Sequence, residues 1–368
     1  MTNNLTITPS QMAMLMLAFN MGSSIVFIPG PVVAASGTSA WLSIIIAALI
    51  GLVMLAGVLY LHRCYPHMTL LEMYRELFGK PIAVVLAIGF SVVMLLMIAN
   101  ITLGLGSFFT ATMMVETRPY VFQSLILVIA AITAYTGIVN TARLFIVFLF
   151  IANVMVLLTL TIDLTVYEPD SMLPQLNEGI RPILHGAYIA YGFPYSEMFV
   201  IGALLFFVRQ GTKESLTRHM LVVWLYYAAL LTTVAVMGTM VFGVTTGDRR
   251  FLLYEMARVI EFPGALERVE AIAGIVLISS SYVKATIALF AVTVGLSRFM
   301  GFKDEKALIF PVALICLFIS MTMFTNVTEA SHFWTGIWPA VTTTCGLPML
   351  LAACWAWVKR RMGRGKSA

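Results

Sequence analysis

Ten apolar stretches, near 10–35, 39–62, 82–113, 119–137, 142–162, 182–208, 219–243, 270–297, 307–325 and 333–357, occupy most of this sequence. Roughly 20 apolar residues in a helix cross about 30 Å of hydrocarbon, and each stretch meets or approaches that length. The segments between them are too short to form a soluble domain that could bury ten such helices. Charged residues make up only 11% of the chain and hydrophobic ones 60%, well outside the composition of water-soluble domains. The fold class that follows is all-α integral membrane, with ten transmembrane helices in a lipid bilayer. The polar start, residues 1–11, runs straight into the first stretch without the layout of a removable signal peptide, so the first helix is expected to remain in the mature chain.

Placing both ends on one side puts Arg63, Arg75, Lys80, Arg143, Arg209, Lys213, Arg218, Arg298, Lys303, Lys306 and the tail cations Lys359, Arg360, Arg361, Arg364 and Lys366 together, 15 in all. The opposite face then carries six, Arg118, Arg181, Arg249, Arg250, Arg258 and Arg268. By the positive-inside rule the cation-rich face, with the N- and C-termini, is cytoplasmic. The same scatter of cations through short loops accounts for the net charge of +5 without a nucleic acid. Cys64, Cys316, Cys345 and Cys354 fall singly, with no CxxC pair and no histidine at ligand spacing, so no metal or cofactor is implied.

Two of the stretches are interrupted in mid-membrane. The first contains Gly22-Ser23-Ser24-Ile25-Val26-Phe27-Ile28-Pro29-Gly30-Pro31, and the sixth contains Tyr191-Gly192-Phe193-Pro194-Tyr195-Ser196-Glu197. Proline removes a backbone donor and clashes with the preceding turn, while glycine and serine loosen it. In lipid such a break is tolerated where it faces protein or a watery cavity. The breaks fall in the first span of each set of five, which points to a five-plus-five inverted repeat, about 8–163 and about 180–357, followed by a basic tail, 358–368. A pair of ordinary proline kinks is the plainer alternative. Half-helix N-termini suit a carboxylate and exposed carbonyls suit an ammonium, so a zwitterionic amino acid matches both. Gly22, Ser23 and Ser24 are the candidates for the carboxylate side, and Tyr191, Gly192 and Phe193 for the amine and side-chain side. Ile25, Asn100, Leu103, Ser281 and Tyr282 are further candidates for the pocket wall, Asn100 having interhelical bonding as its plainer role.

Two charges lie deep in the apolar runs. Lys284, in Ser279-Ser280-Ser281-Tyr282-Val283-Lys284, sits near the centre of the eighth span, where a charge costs about 2.5 to 3.5 kcal/mol and must face the bundle interior. It either holds the broken first helix, senses a ligand carboxylate, or serves as a structural cation bonded to carbonyls. Glu197 is the acid at comparable depth; pairing with Lys284, coordinating a proton or cation, and satisfying loose backbone donors are all open to it.

Short helices are expected in two loops. Thr69 and Glu72 have capping-box spacing ahead of an apolar face expected to lie along the membrane. The segment 251–261 alternates apolar and charged residues, and either caps a cavity or packs at the interface.

In order and spacing, the start Ile7-Thr8-Pro9-Ser10-Gln11, the 22–30 stretch, the 192–197 stretch and Tyr282-Val283-Lys284 together resemble the B subunit of spore germinant receptors. That endospore germination permease family lies within the amino-acid–polyamine–organocation superfamily, and the likeness covers essentially the whole chain. The resemblance implies a leucine-transporter-like fold with broken helices 1 and 6. It also implies a three-part receptor in the spore inner membrane, with an A subunit that has membrane spans of its own and a C-subunit lipoprotein. A small germinant, typically an L-amino acid, is the implied ligand. The superfamily's sodium sites use carbonyls of helix 1 and hydroxyls of helix 8; by the same resemblance the Lys284 ammonium is expected to replace the sodium.

A sensor whose ligand shifts two states and a permease that moves an amino acid with a proton or cation share these features, and the sequence does not separate them. An enzyme is not expected, because the sequence holds no nucleophile elbow, phosphate-cradling loop, metal cluster or paired catalytic carboxylates.

Overall fold

A computed structural model describes residues 6–162, 166–174, 176, 179–211, 215–259, 270–324 and 326–364. Lys213, Arg268 and Lys366, named above, lie outside the described residues, as do residues 260 and 261 of the 251–261 segment, residue 163 of the expected first repeat and the end of the tail. The first expected span divides into α1 (Pro9–Met21), α2 (Ser24–Phe27) and α3 (Pro29–Ser36). Then come α4 (Ala40–Cys64), α5 (Leu70–Phe78), α6 (Lys80–Thr112), α7 (Pro119–Thr136) and α8 (Ile138–Ile162). The second half holds α9 (Ile180–Gly192), α10 (Met198–Gly202), α11 (Leu216–Phe242), α12 (Leu252–Val259), α13 (Glu270–Met300), α14 (Ile309–Thr322), α15 (Val327–His332) and α16 (Trp338–Arg364).

Among the described residues, eight segments are long and apolar enough to cross a bilayer. The other two of the ten are special. The sixth is a chain of short pieces, α9, a 3-10 turn Tyr195–Glu197, α10 and a 3-10 turn Leu205–Phe207, rather than one kinked helix over 182–208. The ninth is α14, whose 14 residues span about 21 Å, shorter than the 307–325 stretch suggests. Within the sixth, Glu197, Met198, Phe199, Val200 and Ile201 are fully buried, so its irregular backbone is shielded from lipid by protein.

Which helix is central follows from burial. The apolar window of α13 is 89% buried and that of Pro9–Phe27 is 78% buried, against 33% for Ile138–Thr161. α13 packs against α6, α7, α8 and α12, and α1 against α11, α8 and α13. Outer helices turn stripes of large apolar residues outward, such as Ile82, Val85, Ile88 and Val92 on α6 and Phe310, Leu314 and Phe318 on α14. In water such stripes would drive aggregation; in lipid they are the solvated surface.

The expected capping box forms: the Glu72 carboxylate accepts from the Thr69 N–H at 2.7 Å. The helix it starts turns its apolar face into the bundle. Leu70, Leu71, Met73, Tyr74 and Leu77 are buried against α6, α13 and α16. Thr69→Ala is expected to cost about 1 kcal/mol of stability, measured by unfolding in mixed micelles, with ligand response retained. On the cation-poor face, α12 likewise inserts its apolar side into the bundle, against α13, α11 and α2.

Candidate functional site

The first break is built by Gly22 and Ser23. Ser23 adopts φ +53°, a left-handed conformation that costs a non-glycine residue about 1 to 3 kcal/mol. Its N–H donates to the Ser280 hydroxyl of α13 at 3.3 Å. The Ser24 N–H reaches the Gly22 carbonyl at 2.6 Å and the Gly22 N–H the Ala18 carbonyl at 3.1 Å. The Ser24 hydroxyl donates to the Asn20 carbonyl and shares a hydrogen bond of 2.7 Å with the Tyr227 hydroxyl. All three amides proposed as a carboxylate cradle therefore have partners within the protein. Gly22 faces α13: a Cβ built on it would lie 2.5 Å from the Lys284 Cβ and 2.9 Å from the Ser280 carbonyl oxygen. The absence of a side chain lets α13 approach the break.

Beside this contact lies the charge pair. The Lys284 ammonium is 2.6 Å from the Glu197 carboxylate, and both side chains are fully buried. Of the three readings open to Glu197 in the sequence, the structure displays pairing with Lys284. The other carboxylate oxygen accepts from the Trp338 indole at 3.4 Å. The ammonium also sits 3.4 Å from the centre of the Phe193 ring and 4.9 Å from that of Phe19. Desolvated cation–π contacts contribute about 2 kcal/mol. One lysine thus joins the halves of the broken sixth span to α1, α13 and α16.

On the other side of Phe193 is a cavity of about 100 Å³. Ser23, Phe27, Ile28 and Pro31 of the first span, Asn100, Ile101, Leu103 and Gly104 of α6, and Ile189 and Phe193 of the sixth line it. Arg250, Ser331, Trp334 and Thr335 complete the wall from the cation-poor face. Asn100 is 1% exposed, and neither its carbonyl nor its amino group has a hydrogen-bond partner in the protein. Leaving a buried amide unmatched costs about 1 to 3 kcal/mol per group, so the cavity is poised for a polar occupant.

Ser23, Asn100, Leu103 and Phe193 are brought together here. Gly22, Ser24, Ile25, Tyr191, Gly192, Ser281 and Tyr282 are buried elsewhere and do not line the cavity. Gly192 accommodates α16, since a Cβ on it would come within 2.3 Å of the Pro339 Cγ. Tyr282 points the other way, between Phe145 and Phe148, with its hydroxyl 2.5 Å from that of Thr133. The sequence does not single out Phe27, Ile28, Pro31, Ile101, Gly104, Ile189, Arg250, Ser331, Trp334 or Thr335 as pocket residues. A weak signal for two of them was the 331–335 spacing, which places Ser331 and Thr335 one helical turn apart. The turn 333–337 is a π-helix, a form frequent at functional sites.

The family model described as spore germination protein matches residues 6–328. Spore germination protein KB of Bacillus subtilis (strain 168) is 21% identical over 363 residues, covering 97% of this chain and 96% of that protein. Spore germination protein YndE of the same organism is 23% identical over 298 residues, covering 79% and 80%. Among solved structures, that of MhsT in complex with L-phenylalanine superposes with a TM-score of 0.70 at 12% identity, over 93% of this chain and 94% of that one. The superposition bears out the leucine-transporter-like fold. Ten apolar segments with interruptions in the first and sixth, and a match over nearly the whole length, place this multi-pass membrane protein in the spore germination protein family.

Proposed function

We propose that this protein is the ligand-sensing membrane subunit of a spore germinant receptor, and that its ligand is a short-chain L-amino acid. The observation that carries this reading is the cavity, which both interrupted spans border and into which Asn100 brings an unmatched amide. A cavity of about 150 Å³ takes up benzene. The smaller space here suits a ligand of about the size of glycine or alanine, with an apolar side chain against Phe193 and Ile189.

Sensing follows from what the cavity wall touches. Phe193 lies directly on the Lys284 ammonium, and Trp334 packs 5.2 Å from Trp338, which donates to Glu197. A ligand that fits better in one arrangement of these rings than another shifts the bundle by that difference in affinity. An A subunit and a C-subunit lipoprotein in the spore inner membrane are the partners that would read the shift. The count of 15 cations against six supports cytoplasmic N- and C-termini. Sodium does not suit the region where α13 approaches the first break, because the buried ammonium already supplies positive charge there. Binding is therefore expected to be the same in sodium and choline buffers.

The test is equilibrium binding of a panel of short L-amino acids to purified protein in nanodiscs. One of them should bind saturably, and Asn100→Leu should weaken it at least about tenfold by removing both amide groups. Unchanged binding by Asn100→Leu would contradict the reading. A permease that moves the amino acid with a proton or cation is the second reading, and the transporter fold favours it. Uptake of radiolabelled L-alanine by proteoliposomes of this protein alone would establish transport, whereas saturable binding without flux supports sensing.

A further inference from the structure

Two adjacent arginines on the cation-poor face have opposite surroundings. Arg249 is paired with Glu255 at 2.7 Å and lies 4.7 Å over the Phe242 ring. Arg250 has no acidic or hydrogen-bonding partner among the described residues; only the Phe251 ring, 5.1 Å away, faces its guanidinium. Yet Arg250 is the one of the pair that lines the cavity.

Its backbone is firmly placed. A Cβ on Gly30 would fall 2.2 Å from the Arg249 carbonyl oxygen and one on Gly247 would fall 2.8 Å from the Ala34 Cα, so the turn before Arg250 is pressed onto α3. After it, Phe251 sits edge-on to Phe27 and Phe108, with ring centres 5.4 and 5.0 Å apart. Among the described residues that line the cavity there is no aspartate or glutamate. Glu197, behind Phe193, is already matched by Lys284.

We propose that Arg250 selects for ligands that carry a carboxylate, binding that group at the cation-poor end of the cavity while Asn100 engages the ligand's other polar group. A partly desolvated guanidinium beside apolar walls gains from a planar carboxylate that it can hold bidentately, and an amide or a second cation cannot replace it. This deepens the ligand-binding reading and rests on it. It also moves the carboxylate away from the Gly22–Ser24 amides, whose hydrogen bonds are taken up within the protein.

The experiment measures competition for bound radiolabelled L-alanine by unlabelled L-alanine and by L-alaninamide, which lacks the carboxylate, in nanodiscs. Wild type should prefer L-alanine by at least about tenfold. Arg250→Gln should reduce L-alanine affinity by a similar factor and level the two competitors, with thermal stability unchanged, and Arg250→Lys should keep part of the preference. The proposal is overturned if Arg250→Gln keeps the wild-type preference while Asn100→Leu loses binding; the cavity reading then survives without it. If no short L-amino acid binds wild type saturably, or Asn100→Leu binds as wild type does, both fall.

Discussion

Glu197→Gln is expected to destabilise the protein by about 3 to 5 kcal/mol, because it leaves the fully buried Lys284 ammonium without a counter-charge. Lys284→Met should cost a comparable amount by stranding the carboxylate. The double variant should cost much less than the sum of the two, since an uncharged pair of similar volume removes both desolvation penalties. The cycle is measured by unfolding in mixed micelles. Additive losses would mean that the charges do not act as a pair, and an unchanged Glu197→Gln protein would mean that water reaches the site. The expected size reflects position: the ammonium touches Phe193 and Phe19, and the carboxylate holds Trp338, so losing either charge loosens four helical segments.

Gly22→Ala is expected to cost about 1 to 3 kcal/mol by overpacking and to depress the response to every ligand alike. The added methyl would lie 2.5 Å from the Lys284 Cβ and 2.9 Å from the Ser280 carbonyl oxygen, so α1 and α13 must separate to admit it. That separation also pulls on the Ser23 to Ser280 hydrogen bond that holds the break. Gly104→Ala offers the contrast. Its methyl would stand in the cavity wall, 3.3 Å from the Phe27 ring, and should discriminate between ligands by size at little cost in stability. A Gly22→Ala protein with wild-type stability and a ligand-dependent defect would place that glycine at the ligand and contradict the packing described here.

Much of this architecture is legible in the chain because lipid imposes a simple length rule. The two lone intramembrane charges, Lys284 and Glu197, also advertise each other, since neither is tolerable alone in the bilayer. The glycine, serine and proline clusters mark both breaks. What the sequence hides is the direction each helix faces. In a soluble protein, polar residues mark the outer side; here lipid and protein interior are both apolar, and beyond Asn100 α6 carries no contrast that would turn Ile101 and Gly104 toward a cavity. Tyr282 lies close in sequence to Lys284 yet points elsewhere, toward Phe145 and Phe148. Arg250 escapes for another reason: nothing local distinguishes it from Arg249, and only the fold decides that one meets Glu255 and the other the cavity. His62, a histidine near a span end, is buried in the last turn of α4, its Nε2 3.2 Å from the Gln210 side-chain nitrogen.

The most direct test of the binding site is an electron cryo-microscopy map of the protein in nanodiscs saturated with L-alanine, compared with a map recorded without it. Added density between Asn100, Phe193 and Arg250 is the expected result. A map with the amino acid bound at any other position, and this space unchanged, would contradict the account.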